Sequence, residues 1–220
     1  MKSRPKKETS LTESLKEHDR NLNLYHVQPY SEQEYAKRFP DTDADVKKML
    51  GLNYVPLLFR TIATFSPSLV DTTWQMMRSV LCTGNLDRTL KEMMFVAIAN
   101  ARDCKYCAVA HQAMALQYGL DYGINVSVVK DLDNIQPDST REILKFSVAL
   151  AQGRGSYSDR IDRLIKNGVK QEDISEIIAM ISCANYMVSL ADGTMTDSDE
   201  HFYTIIKKAE EKFNTKFIKI

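Results

Sequence analysis

The 220-residue sequence predicts an all-α fold, a bundle of about ten helices, and three observations carry that expectation. Ala, Leu, Lys, Glu and Met are common while glycine and proline number only eight and six, a composition that favours helix. Apolar residues recur at helical spacing, and strand-like alternation is confined to a short stretch at Lys216-Phe217-Ile218. Helix start and stop residues punctuate the chain at intervals suited to short helices.

Residues 1–28 are polar and charged with few large apolar groups, and read as an N-terminal arm; residues 29–220 read as one domain. Ser31 to Phe39 and Thr42 to Leu50 are two short helices by pattern, and Tyr54 to Phe65 is a longer one. Ser66 as N-cap with Pro67 at the first helical position opens the next, to about Leu81. Asp87 caps a helix through Ala101, and Asp103 is the expected N-cap of a helix that runs to about Tyr118 and stops at Gly119. A short helical stretch follows at Val126 to Leu132. Ser139-Thr140-Arg141-Glu142 has the form of a capping box and opens a helix to Gln152. Ser158 to Asn167 ends at Gly168, Gln171 to Ala191 is the longest and most apolar helix and ends at Gly193, and Ser198 to Phe213 closes the series.

Composition narrows the functional classes. Formal net charge is zero and no basic stripe with interleaved aromatics occurs, which argues against a nucleic-acid binder. No run of about 18 apolar residues suggests a membrane span, and no apolar segment follows the basic Met1–Glu8 as in a secretory signal. Four cysteines in such a chain imply a reducing cytoplasm rather than a disulfide scaffold.

The chemistry concentrates at Cys104-Lys105-Tyr106-Cys107 with His111 four residues on. At about 100° per residue Cys104, Cys107 and His111 fall within an arc of roughly 60° on one helix face. The first turn of a helix favours thiolate, and an imidazole at i+4 from Cys107 can take its proton or pair with it. Helix position favours Cys104 as the more acidic thiol, and His111 favours Cys107. On the preceding helix Glu92 stands in an apolar run, Met93 to Ala99, either on a wet edge or held inside for a purpose. If the two helices pack as a pair, Glu92 approaches the thiols. Cys82 and Cys183 read as inert core thiols, His18, His26 and His201 as surface residues, and Trp74-Gln75-Met76-Met77 as core.

Glu92, eleven intervening residues, then Cys-x-x-Cys-x-x-x-His resembles the core motif of the alkylhydroperoxidase D and carboxymuconolactone decarboxylase superfamily, in particular its peroxidase-related branch, where a tyrosine often stands as Tyr106 does. The segments Pro56 to Phe59, Leu86 to Glu92, Ile143 to Phe146, Ile161 to Gly168 and Leu190 to Asp192 extend the likeness over residues 45–195. The resemblance implies an alkylhydroperoxidase D-like helical bundle and a thiol peroxidase without haem, flavin or metal. By position, Cys107 would attack the peroxide, Cys104 would resolve the sulfenic acid as a disulfide, and Glu92 and His111 would relay protons. It also implies a small hydroperoxide as substrate, a dithiol protein or small thiol as reductant, with Cys104 the more exposed partner for it, and a homo-oligomer from dimer to hexamer. The chain departs from alkylhydroperoxidase D itself at Tyr106, where that protein has histidine, and Val188 and Ser189 stand where the branch often has more polar residues. A zinc site on Cys104, Cys107 and His111, a redox-sensing helical assembly, and a carboxymuconolactone decarboxylase-type lyase are the competing readings. The cysteine pair counts against the last.

Overall fold

The computed structural model describes residues 28–118 and 132–213, and among them every regular element is helical. Ten α-helices follow in order: α1 Glu32–Arg38, α2 Pro40–Leu50, α3 Leu57–Phe65, α4 Leu69–Leu81, α5 Arg88–Ala101, α6 Lys105–Gln117, α7 Asp138–Ala151, α8 Tyr157–Lys166, α9 Gln171–Gly193 and α10 Glu200–Phe213. The expected arm (apart from Gln28), Gly119, the stretch from Val126 as far as residue 131 and the strand-like 216–218 lie outside the described residues; Leu132–Asn134 forms a 3-10 turn.

Local chemistry accounts for several helix starts. Ser31 and Glu34 form a reciprocal capping box on α1, and the Asp87 side chain accepts from the Leu90 N–H at the start of α5. Other starts differ from expectation. Residues 66–68 form a turn, so α4 begins at Leu69; α3 begins after Pro56 rather than at Tyr54. The Ser139–Glu142 box is absent because the helix already runs from Asp138, with Pro137 in the cap position and no side-chain cap. Ser139 is thus inside the first turn, where its side chain no longer stands in the cap position.

α5 and α6 fold back on each other and form the most extensive helix pair in the structure. α10 packs on α6, while α7 and α9 pack on α5. Eight successive residues of α5, Glu92 to Ala99, are buried, so this helix is enclosed on every face. α9 is long and apolar enough to cross a bilayer, but half of its most apolar window is buried inside the bundle, as in a core helix.

One polar cluster secures the start of α5. Lys91, almost fully buried, donates its Nζ to the Val80 carbonyl at 2.9 Å and to the Thr83 carbonyl, and pairs with Glu176 of α9. Glu176 in turn accepts from the Asn85 N–H at 2.9 Å and the Leu86 N–H at 3.3 Å. Between them Gly84 has φ +102°, and a Cβ there would stand 2.1 Å from Glu176 Oε1. A side chain at this position must therefore strain the backbone and displace the carboxylate. Gly84→Ala is expected to lower unfolding free energy by about 1–3 kcal/mol, read by urea denaturation. A loss of only a few tenths would mean that the loop relaxes freely.

Candidate active site

Helix α5 carries Glu92 into the interior, where it is 0% exposed. Isolated, such a charge would be prohibitively costly, so both of its oxygens are engaged. Oε1 accepts from Arg88 Nε at 2.7 Å and Oε2 meets His111 Nδ1 of α6 at 2.6 Å. Burial pushes the Glu92 pKa up, but the imidazole and then the guanidinium outweigh it, and the carboxyl sits below its ordinary range. Against a carboxylate, Nδ1 is the donor, which leaves Nε2 as the free nitrogen of the ring. His111 is further fixed by stacking on Phe95, with centroids 3.5 Å apart and planes 9° apart.

The turn between α5 and α6 places the thiols. Asp103 has φ +55°, its N–H bonds to Asn100 O at 3.3 Å, and the Cys104 N–H reaches back to Ala99 O at 3.0 Å. This closes α5 with a left-handed residue, where aspartate is tolerated better than most side chains. Asp103 is therefore not the N-cap of α6; Cys104 is, and Cys107 lies in the first turn. The Cys104 and Cys107 thiols are neighbours and interact with each other. Both cysteines are 1% exposed, which corrects the expectation that Cys104 is the more open of the two.

Beside Cys107 lies a cavity of about 430 Å³, counted with its open mouth. Cys107, His111, Glu92, Arg88 and Tyr106 line it; Cys104 does not. The remaining wall is apolar, including Phe59, Met77, Met114, Met187 and Phe202. The resting Cys107 thiol is held protonated. The hydrogen bond with Cys104 and then burial push its pKa far above the usual thiol range, with the charges of Cys104 and Asp192 acting in the same direction. Expectation from helix position and His111 ran the other way. The arrangement suits a thiol that loses its proton to a base during reaction rather than one that stands as thiolate.

Tyr106 stays out of the Glu92–His111 pair. Its hydroxyl accepts from the Leu58 N–H at 3.2 Å and donates to Asp199 Oδ2 at 3.3 Å. Asp199 also accepts from the Leu57 N–H at 2.9 Å, capping α3 from just before α10. All four site residues read from the sequence, Glu92, Cys104, Cys107 and His111, meet at the α5–α6 pair. Sequence reasoning missed Arg88, for which an i, i+4 spacing to Glu92 was the available signal, and missed Asp199 and Phe202, for which no local signal exists. Cys183 and Trp74 are buried as expected; Cys82 is half-buried, and the exposed His201 stacks on Tyr54 at 4.1 Å rather than standing without a partner. No group of three or more His, Cys, Asp or Glu among the described residues is arranged to hold a metal ion.

Residues 67–122 match the Carboxymuconolactone decarboxylase family, a span that covers α4, α5 and α6. No match is found among curated proteins. Among solved structures, the debrominase Bmp8 with C82A, in complex with 2,3,4-tribromopyrrole, superposes with TM-score 0.71 at 14% identity over 83% of this chain and 96% of that one. An uncharacterized peroxidase-related protein from Ralstonia eutropha JMP134, described as an alkylhydroperoxidase AhpD core, gives TM-score 0.66 at 21% identity over 80% and 94%. A peroxidase-related protein from Silicibacter sp. TM1040 gives 0.64 at 20% identity over 83% and 93%. The shared architecture is the alkylhydroperoxidase D-like helical bundle.

Because Glu92 titrates below its ordinary value of 4.5, its ionisation contributes stability in full above that pH, and the contribution is lost as pH falls through the lower native value. Glu92→Gln is expected to cost about 2–3 kcal/mol at neutral pH and to flatten the decline in urea midpoint from about pH 5 downward. An acid limb identical to that of the parent chain would contradict the ionised assignment.

Proposed function

We propose that this chain, which belongs to the alkylhydroperoxidase D-like and carboxymuconolactone decarboxylase superfamily, is a thiol peroxidase that reduces small apolar hydroperoxides through a Cys104–Cys107 disulfide. The observation that carries the reading is the opening of the cavity onto Cys107 and His111, with His111 tethered to a buried carboxylate and Cys104 in hydrogen-bond reach behind.

In this reading His111, held through Nδ1 by Glu92, takes the Cys107 proton through Nε2, directly or by one water. The Cys107 sulfur attacks the terminal oxygen of R–O–O–H, the O–O bond breaks, and R–O⁻ leaves with the proton from His111 as the alcohol. Cys107 is now a sulfenic acid. The Cys104 thiol attacks its sulfur, water leaves, and the disulfide forms. The balance is one hydroperoxide and two thiols to alcohol, water and disulfide; a dithiol protein or small thiol returns two electrons. The apolar wall favours organic over hydrogen peroxide by burying the alkyl group. A homo-oligomeric assembly and a reducing, cytoplasmic setting belong to the same proposal.

A second reading draws on the likeness to the debrominase and on the apolar cavity: reductive loss of halide from a small aromatic. There two thiols and an aryl halide yield the disulfide, the dehalogenated ring and hydrogen halide.

Stopped-flow with cumene hydroperoxide and dithiothreitol separates the roles. Cys107→Ser should lower turnover by at least about a hundredfold, while reduced Cys104→Ser, freed of dithiothreitol before mixing, should consume about one equivalent of peroxide and then stall as the sulfenic acid. Undiminished turnover in both variants contradicts the peroxidase. Halide release from bromopyrroles with no peroxide consumption would favour the second reading.

A further inference from the structure

Arg88 is placed where stability alone gives little reason for it. It is the first residue of α5, where the helix dipole disfavours a cation. Its order relative to Glu92, cation before anion at i, i+4, is the less favourable one for an isolated helix. Its guanidinium is largely buried, and its Nη2 is enclosed with no hydrogen-bond partner. Burial lowers its pKa, but Glu92 more than offsets this and keeps it a cation. A buried unpaired donor costs free energy, and local rules broken together mark functional positions more often than structural ones. What Arg88 touches is the site: Nε grips the Glu92 oxygen that His111 does not use, and the side chain lines the same cavity as Cys107.

We propose that Arg88 is a fifth member of the site, a positioning residue that holds the Glu92 carboxylate so that its other oxygen accepts from His111 Nδ1 and the ring keeps Nε2 for the Cys107 proton. The role deepens the thiol-redox reading, but it concerns base orientation and so does not depend on which substrate enters. The groups facing the pair are few. Cys82 at the end of α4 lies against the guanidinium, with Arg78 and Cys183 near that thiol; the Tyr118 ring covers the guanidinium at 4.5 Å; α6 contributes His111 and Cys107. Of these, only His111 bonds the Glu92 carboxylate, so Arg88 is its one permanent cationic contact among the described residues.

Without Arg88 one carboxylate oxygen is freed and the carboxylate loses its permanent counter-charge. Glu92 then protonates at higher pH, and a protonated Glu92 no longer fixes the imidazole. The role acts through Glu92, which a double-mutant cycle reads directly. Arg88→Met, Arg88→Lys, Glu92→Gln and the Arg88→Met/Glu92→Gln pair are compared by two measurements across pH: hydroperoxide turnover, and the rate of Cys107 alkylation by iodoacetamide followed by peptide mass spectrometry. Arg88→Met should lower both rates about tenfold at neutral pH and move the acid limb upward, and Arg88→Lys should recover most of the loss. In the Glu92→Gln background Arg88→Met should change either rate by less than about twofold. Equal losses in both backgrounds, or an acid limb that does not move, would overturn the proposal. If the parent chain consumes no hydroperoxide while alkylation follows the expected pattern, the peroxidase reading falls and the positioning role stands. Arg88→Gln replaces Arg88→Met should the latter not fold.

Discussion

A fully buried carboxylate between a guanidinium and an imidazole sets the terms for this protein. Glu92 is worth keeping inside only if both oxygens are bonded, so the α5–α6 pair is held to a register in which residue 92 meets residue 111. That register also brings the first turn of α6, with Cys107, to the wall of the same cavity. The tight turn at Asp103 follows from it. Three residues must reverse the chain between two helices packed along their length, and one of them adopts the left-handed conformation to do so. Packing and chemistry are thus constrained by one contact, and loosening Glu92 would disturb both together.

The opposite wall depends on a second buried acid. Asp199 ties three distant pieces together: the start of α3 through Leu57, the α6 face through Tyr106, and its own position ahead of α10. Burial raises its pKa, only partly offset by the Leu57 N–H, Arg60 and Tyr106. The Tyr106 hydroxyl is engaged by Asp199 and the Leu58 N–H rather than by the Glu92–His111 pair, and its ring forms part of the cavity wall beside Cys107. Phe202, on the first turn of α10, completes the apolar lining. The last helix, which the family likeness in the sequence did not reach, is therefore part of the cavity.

How much of this is legible in the sequence follows from chain distance. Cys104, Cys107 and His111 share one helix face by periodicity alone, and Glu92 joins them across a turn too short to allow much else. Arg88 is equally local, but i, i+4 charge pairs are so common on exposed helices that its burial is what distinguishes it, and burial is a tertiary fact. Asp199 reaches Leu57 across 142 positions, and no local pattern announces such a contact. Helix starts fail for a different reason. Several residues in a row at 137–142 and at 66–69 are acceptable caps, and the structure chooses among them by where the preceding chain must go.

The acidity of Cys107 is the point on which local chemistry and the folded environment diverge most. A helix N-terminus and a nearby imidazole are the ordinary means of lowering a thiol pKa. Here a neighbouring thiol and a dry pocket outweigh them, and Cys107 rests protonated. In the proposed peroxidase reading, reactivity then depends on proton removal by His111, whose Nδ1 bond to Glu92 leaves Nε2 to face the thiol. Both thiols are buried and only Cys107 lines the cavity, which bears on how the proposed disulfide would be reduced. In that reading a small thiol entering by the cavity would meet Cys107, whereas a dithiol protein would have to reach sulfurs that the fold buries.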